Sequence, residues 1–237
     1  MPRLKLGILQ VNHDRSVEVG DAFPDDAHRF RDLFDAQDQR FTYRVYMTIG
    51  GEVPQDVYEQ DAYLITGSPL SVLDDLAFLQ PLYDFIRSCD AAKKPLLGAC
   101  FGHQAIAMAM GGTVARQNWN IGIDQIEVSE TLPWMQPVVP SIGLYQFHHD
   151  AVTALPDGCA PWATSPKCAL AGFTKGDHIF TTQAHPEFSG PFMRCVLNYT
   201  KPHLSVDEVA EAETTLTRTN DGPLFAEWAT RFFGGTP

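Results

Sequence analysis

Apolar positions along the chain follow two periods, and the switching between them predicts strands alternating with helices. Residues 4–11 (LKLGILQV) form a mostly apolar run of eight, as expected of a strand buried on both faces. A polar loop rich in Asp and Gly runs from Asn12 to Asp25, and Pro24-Asp25-Asp26 marks a helix start with acids in the first turn. Phe30, Leu33 and Phe34 then recur at i, i+3 and i+4, one stripe for the core. Residues 41–47 alternate as a second strand, Gly50-Gly51 turns the chain, and residues 61–66 form a third strand. Residues 76–92 return to a period near 3.6 through Leu79, Leu82, Tyr83 and Ile86. Lys93-Lys94-Pro95 leads from that helix into a short buried strand that ends about Leu97.

The second half predicts more strands than helices. Residues 113–117 and 122–128 read as two strands, and residues 129–140, with Pro133, Pro137 and Pro140, as irregular surface loop. Short strands follow near residues 151–155, 159–164 and 168–174, separated by the turns Pro156-Asp157-Gly158 and Ser165-Pro166-Lys167, with a last strand over residues 178–183. Ser189 caps a helix to Tyr199 with Pro191 in its first turn. Ser205-Val206-Asp207-Glu208 is a capping-box pattern opening a charged, exposed helix to Arg218. Phe225, Trp228, Phe232 and Phe233 give a final amphipathic helix over residues 223–233, read as packing onto the sheet, with a partner surface as the alternative. The strand–helix–strand order predicts a parallel, doubly wound sheet with right-handed crossovers. No internal repeat, low-complexity tract or linker interrupts the 237 residues. A single domain over residues 1–237 is expected, with a core of about 4–200 and C-terminal helices over 205–234.

Charge and cysteine content narrow the function classes. The net charge of -12 argues against nucleic-acid and anionic-membrane partners, which select basic surfaces, and its plain meaning is solubility. No run approaches 18 apolar residues, so no membrane span is expected, and the apolar segment at the start is too short for a signal peptide. Five cysteines, an odd number with no Cys-x-x-Cys pair, fit free thiols in a reducing compartment, and the cytoplasm follows as the expected location. No His-Glu-x-x-His occurs, so no metal is expected. There is no Gly-x-x-x-x-Gly-Lys-Ser/Thr for ATP chemistry.

One stretch carries candidate chemistry. Gly98-Ala99-Cys100-Phe101-Gly102 follows the strand at Leu96-Leu97 and precedes a small apolar helix, Ala105 to Met110, which Gly111-Gly112 stops. Gly-x-nucleophile-x-Gly between strand and helix is the pattern of a nucleophile elbow, where the turn is too tight for side chains on either side. The helix N-terminus there stabilises a thiolate, and its first N–H groups can hold an oxyanion. The alternative reading of Cys100 is a buried structural thiol beside a tight turn. A partner base lies 85 positions downstream, where His185-Pro186-Glu187 places an imidazole and a carboxylate on one side of an extended chain. Gly67, in the loop after the third strand, is free to offer its backbone N–H to an oxyanion, with an ordinary turn as the alternative.

Gly98-Ala99-Cys100-Phe101-Gly102-His103-Gln104 together with His185-Pro186-Glu187 resembles the signature of the class I glutamine amidotransferases, and most of all stand-alone chains similar to the glutaminase domain of guanylate synthetase. Ile65-Thr66-Gly67-Ser68-Pro69-Leu70-Ser71-Val72 resembles that family's Gly-Gly-Pro oxyanion loop, with Ser68 in place of the second Gly. His148-His149-Asp150-Ala151-Val152 resembles its His-x-Asp-x-Val block. Asn118-Trp119-Asn120-Ile121-Gly122 departs from the Gly-Trp-Gly-type turn of many relatives, so the substrate rim is expected to differ. The resemblance implies a three-layer αβα fold with a mostly parallel, open, flavodoxin-like sheet, and no cofactor. It implies a triad of Cys100, His185 and Glu187, and oxyanion contacts from Gly67, Ser68 and the Phe101 N–H. It also implies substrate contacts from Gln104, His148 and Asp150. Adjacent strand residues face opposite ways, so at most one of His148 and His149 is expected to point at the site. His103 reads as packing support.

Three activities share these residues. The first is a glutaminase that hydrolyses the γ-amide of glutamine through a γ-glutamyl-Cys100 thioester and hands ammonia to a separate synthase chain. The second is a stand-alone hydrolase of small γ-glutamyl amides or peptides. The third is a non-catalytic member that binds a partner. From the length, a complete synthetase is not expected.

Overall fold

Strand alternation sorts the core into two faces. In β1 (Leu4–Leu9) Leu6 and Ile8 join one buried cluster and Leu9 the other. β3 (Ala62–Ile65) divides Ala62 and Leu64 from Tyr63 and Ile65, and β4 (Leu96–Ala99) divides Leu97 and Ala99 from Leu96. Both faces are apolar because both are covered. On the first lie α1 (Asp26–Asp35), through Phe30 and Phe34, and α6 (Gly222–Gly234), through Phe225, Trp228, Phe232 and Phe233. On the second lie α2 (Leu79–Ala92), through Leu82, Phe85 and Ile86, and α3 (Phe101–Ala109), through Phe101, Ala105 and Ile106. The computed structural model describes residues 3–235.

With β2 (Phe41–Tyr46), β5 (Thr113–Val128), β6 (Ser141–Ala154), β7 (Ala160–Ser165), β8 (Cys168–Lys175) and β9 (Ile179–Thr182), the nine strands form one sheet in the order β2-β1-β3-β4-β9-β8-β7-β5-β6. The β2-β1-β3-β4 order is the start of the flavodoxin-like arrangement. The four pairings from β2 to β9 are parallel. The four from β9 onwards are antiparallel, so the parallel sheet expected from the sequence is confined to the half that carries the crossover helices. α4 (Gly190–Thr200) and α5 (Val206–Thr215) pack with the β5–β6 hairpin in a third cluster through Phe192, Met193, Leu197 and Ala212.

Four boundaries differ from the sequence expectation. Residues 113–117 and 122–128 belong to a single strand, β5, whose register breaks between Arg116 and Asn120, so that Gln117, Asn118 and Trp119 oppose only His149 of β6. The polar bulge interrupts the alternation on which separate strands were predicted. β6 begins at Ser141, ten residues before the expected strand at 151, because residues 141–150 mix apolar and polar side chains that are buried together against β5. The helix expected from Leu76 starts at Leu79, and that expected from Ala105 starts at Phe101, directly after the elbow.

Capping follows the sequence closely. Asp25 accepts the His28 N–H, Ser189 accepts the Phe192 N–H, and Ser205 and Glu208 form the predicted capping box. All five cysteines are free. Among the described residues no helix is long and apolar enough to cross a membrane, and no group of three or more His, Cys, Asp or Glu is placed to hold a metal ion.

Candidate active site

Three neighbouring strands, β3, β4 and β9, end side by side, and each delivers one element of the site. Register pairs Ile65 with Gly98 and Ala99 with Thr182, so Gly67, Cys100 and His185 emerge at the same sheet edge. Such C-terminal strand edges are where open α/β sheets build their sites.

Cys100 sits on the elbow that the glycine spacing predicted. A Cβ at Gly98 would stand 2.7 Å from the Gly102 carbonyl oxygen, and one at Gly102 would collide with that of Ile65. Both positions are closed to any larger residue because strand and helix meet backbone to backbone. Cys100 itself has φ +48 and ψ -103, a conformation that L residues rarely adopt, and its N–H donates to the Thr182 carbonyl at 2.9 Å. Its position is the N-cap of α3, and Phe101 is the first helical residue, whose N–H has no partner in the preceding turn. The Phe101 ring points away into the second face of the core.

The His185 backbone N–H donates to the Tyr145 carbonyl at 2.8 Å, which ties the loop after β9 to β6. Its ring Nδ1 lies 2.8 Å from Glu187 Oε1, the two-residue spacing read from the sequence. The ring stacks on Phe188, with centroids 4.0 Å apart. Both His185 and Glu187 are buried. Burial disfavours an imidazolium, but the charges of Cys100 and Glu187 outweigh it and hold the His185 pKa above the ordinary value. Gly67 completes the convergence. A Cβ there would lie 2.6 Å from His185 Cε1 and 3.6 Å from Cys100 Cβ, so only glycine leaves room for both side chains.

The remaining predicted residues form a cleft beside Cys100. Ser68 borders it, and its hydroxyl accepts the Leu70 N–H, which turns the loop after β3. Gln104 lines it, with its amide nitrogen donating to the Asp150 carbonyl and to Gln183 Oε1. The Asp150 carboxylate is gripped by the Ser71 hydroxyl and by Arg116 Nε at 3.1 Å. Although burial opposes ionisation, those bonds hold its pKa below the ordinary carboxylate value. His148 bonds through Nδ1 to the Asp150 carbonyl at 2.9 Å, and burial pushes its pKa down to about 4. The neutral ring therefore donates from Nδ1 and leaves Nε2 as an acceptor. Both His148 and His149 line the cleft, against the expectation that at most one does so. Opposite the β5 bulge the two are not held in regular alternation, and His149 reaches the rim, where it stacks on Trp119 with centroids 4.2 Å apart. His103 is fully buried, bonds to Thr181, and plays no part in the cleft.

Several contacts at the site had no signal in the sequence. The Tyr145 and Thr182 carbonyls position the base and the elbow, Ser71 and Arg116 hold Asp150, and Trp119 supports His149. Each acts through a contact between segments far apart in the chain, and backbone carbonyls carry no residue identity to read.

Comparison with known proteins agrees with this geometry. The sequence profile of the family described as "Glutamine amidotransferase class-I" matches residues 42–194, a span that includes Gly67, Cys100, His185 and Glu187. The chain is 30% identical over 155 residues to gamma-glutamyl peptidase 3 of Arabidopsis thaliana, covering 61% of this chain and 62% of that one. It is 30% identical over 135 residues to one subunit of the glutamine-hydrolyzing GMP synthase of Sulfolobus acidocaldarius, covering 56% of this chain and 70% of the relative. The matches span between 61% and 65% of the length of the four plant gamma-glutamyl peptidases compared. In fold, the chain is similar to the crystal structure of a glutamine amidotransferase from Thermotoga maritima, with a TM-score of 0.76 over 98% of this chain and 99% of that one, at 20% identity. A profile match across the three strand ends and both halves of the buried Cys–His–Glu grouping leads to one conclusion: the chain belongs to the class I glutamine amidotransferase family.

Proposed function

We propose that this chain is a Cys–His–Glu enzyme that cleaves the γ-amide bond of glutamine or of a γ-glutamyl amide through a thioester on Cys100. The observation that carries the reading is the packing of His185 and Cys100 against Gly67, with Glu187 2.8 Å behind the imidazole. In this reading Cys100 Sγ bonds to the γ-carbonyl carbon, and the oxyanion lies between the N–H groups of Gly67 and Phe101. His185, oriented through Nδ1 by Glu187, delivers a proton to the leaving nitrogen as the C–N bond breaks. A water deprotonated by the same imidazole then attacks the thioester, releasing glutamate and returning the proton to the Cys100 sulfur. His148 Nε2 and the Asp150 charge lie on the Cys100 side, where an acceptor and a carboxylate suit the ammonium of the glutamyl group. Gln104 and Ser68 shape the same cleft.

The relative named as a GMP synthase component supports a version in which ammonia passes to a separate synthase chain. The relatives named as gamma-glutamyl peptidases support direct hydrolysis of a larger γ-glutamyl compound. Both versions use the same thioester.

The decisive experiment is release of ammonia from glutamine by the purified chain and by Cys100→Ala, with acid-quenched mass spectrometry for a glutamyl adduct on Cys100. The expected result is turnover and an adduct in the wild type, and neither in the variant. Turnover by Cys100→Ala within about twofold of the wild type rules the mechanism out.

A further inference from the structure

Two hollows meet at Ser68, Pro69 and Phe147, and His185 lines one of them. The first is the Cys100 cleft, with a volume of about 220 Å³. The second is a hollow of about 110 Å³, walled by His185, Val19, Phe23, Arg29, Phe188 and Phe192. Ser68, Pro69 and Phe147 border both, so the second hollow adjoins the first. Its floor is an aromatic ladder. His185 stacks on Phe188, Phe188 meets Phe192 edge-on at 4.6 Å, and Phe192 meets Phe23 edge-on at 5.3 Å.

The charges around this hollow are one-sided. The Arg29 guanidinium lies 3.9 Å above the Phe192 ring, and its hydrogen bonds go to the buried Asp26, at 2.5 Å, and to the Pro24 carbonyl. Its charge is balanced by Asp26, while its buried Nε has no partner among the described residues. Two further carboxylates stand at the lip. Asp14 accepts the Ser16 N–H, and Asp25 caps α1 and meets the His28 ring. His13 is the remaining ionisable residue of the lining. An incoming carboxylate would meet two acids at the lip and a guanidinium whose charge Asp26 already balances.

The reaction decides what lies here. The attacked γ-carbon carries the glutamyl chain on one side and the leaving nitrogen on the other. With the chain in the Cys100 cleft, the nitrogen faces His185, and any group it bears continues past His185 into the adjoining second hollow. In glutamine the leaving nitrogen bears only hydrogen and fills none of it. A hollow of about 110 Å³ is on the scale of the roughly 150 Å³ apolar cavity that admits benzene. We propose that this hollow is the leaving-group subsite, and that it takes an amine bearing one ring-sized apolar group and no carboxylate. The preferred substrates are then γ-glutamyl amides of such amines, ahead of glutamine and of γ-glutamyl peptides. Cleavage yields glutamate and the free amine, the nitrogen taking its proton from His185. This proposal rests on the Cys100 thioester mechanism.

The test compares kcat/KM for γ-glutamylbenzylamide, γ-glutamylphenylalanine and glutamine, in the wild type and in Cys100→Ala, Phe23→Ala and Asp25→Asn. Asparagine keeps the capping oxygen of α1. The benzylamide is expected to exceed both other substrates by about tenfold or more. Phe23→Ala is expected to reduce the benzylamide-to-glutamine ratio at least about fivefold. Asp25→Asn is expected to raise γ-glutamylphenylalanine relative to the benzylamide. Product inhibition of the wild type supplies a reading that needs no variant, since benzylamine is expected to inhibit more tightly than phenylalanine. Cys100-dependent hydrolysis of glutamine at or above the benzylamide rate, or a ratio unmoved by Phe23→Ala, overturns the subsite and leaves the thioester mechanism standing. Turnover that persists in Cys100→Ala, or no turnover of any of the three, overturns both.

Discussion

Cys100 is held at φ +48, where a non-glycine residue costs about 1–3 kcal/mol, and the surrounding packing over-determines it. Glycines at 98 and 102 let strand and helix meet, and the Thr182 carbonyl fixes the Cys100 N–H. The result aims one side chain at His185 with little freedom. Glu187 sets the charge state of that imidazole, because its carboxylate and Cys100 together overcome the burial that favours the neutral ring. Glu187→Gln keeps the shape and removes the charge. We expect kcat/KM to fall roughly 10²–10⁴-fold and the alkaline limb of its pH profile to move to lower pH. A pH–rate series on both proteins reads both effects, and an unmoved alkaline limb contradicts the assigned role of Glu187. Gly67→Ala is expected to abolish turnover without unfolding the chain, because its Cβ would occupy the place of the imidazole edge. The measurement is turnover alongside circular dichroism.

Elements contribute unequally to stability. α6 is anchored by Trp228, fully buried, whose Nε1 donates to the Pro137 carbonyl and whose ring meets Trp162 edge-on at 6.3 Å. Phe225 stacks on Phe180 of β9 at 5.4 Å, and Phe233 meets Phe34 of α1 at 5.7 Å. The helix therefore closes the first face of the sheet, and its apolar stripe is not left for a partner. α5, by contrast, presents charged residues to solvent and depends on its capping box. Trp228→Ala is expected to cost about 3–5 kcal/mol in denaturant unfolding, and Ser205→Ala about 1 kcal/mol. Equal losses in the two variants contradict this division.

The whole molecule should be acid-sensitive above the range in which carboxylates titrate. Burial lowers the His103 pKa to about 3 and that of His148 to about 4. Each stays neutral in the folded state while its unfolded counterpart takes up a proton near pH 6.5. Their contribution is thus present above pH 6.5 and lost as the pH falls below it, with a slope of up to about 1.4 kcal/mol per pH unit for each. His185 has the opposite sign, since its raised pKa contributes stability below pH 6.5 that is lost at alkaline pH. Asp26, raised by burial, offsets part of the acid loss because it takes up its proton sooner folded than unfolded. Unfolding free energy is expected to fall between pH 6.5 and 4.5, and His103→Gln to flatten that fall by about one proton. A slope unchanged in His103→Gln contradicts the account.

Some of this was legible in the chain itself. The runs at 4–11, 61–66 and 178–183 marked strands, the first because a strand buried on both faces is apolar almost throughout. Gly98, Cys100 and Gly102 marked the elbow, since a turn that tight excludes every other residue at the glycine positions. His185 and Glu187 marked each other, being two residues apart on an extended segment. Ser189, Ser205 and Glu208 marked helix starts, because capping is local chemistry. Other features only tertiary structure decided. The bulge at residues 117–119 joined two predicted strands and turned both His148 and His149 to the cleft, because register is set by the partner strand. The antiparallel half of the sheet and the grip of Ser71 and Arg116 on Asp150 arise between distant segments, whose pairing no local pattern encodes. The distance between Gly67 and the Cys100–His185 pair was likewise invisible in sequence: it exists because β3, β4 and β9 end in register, and only adjacency of strands brings three separated residues to one point.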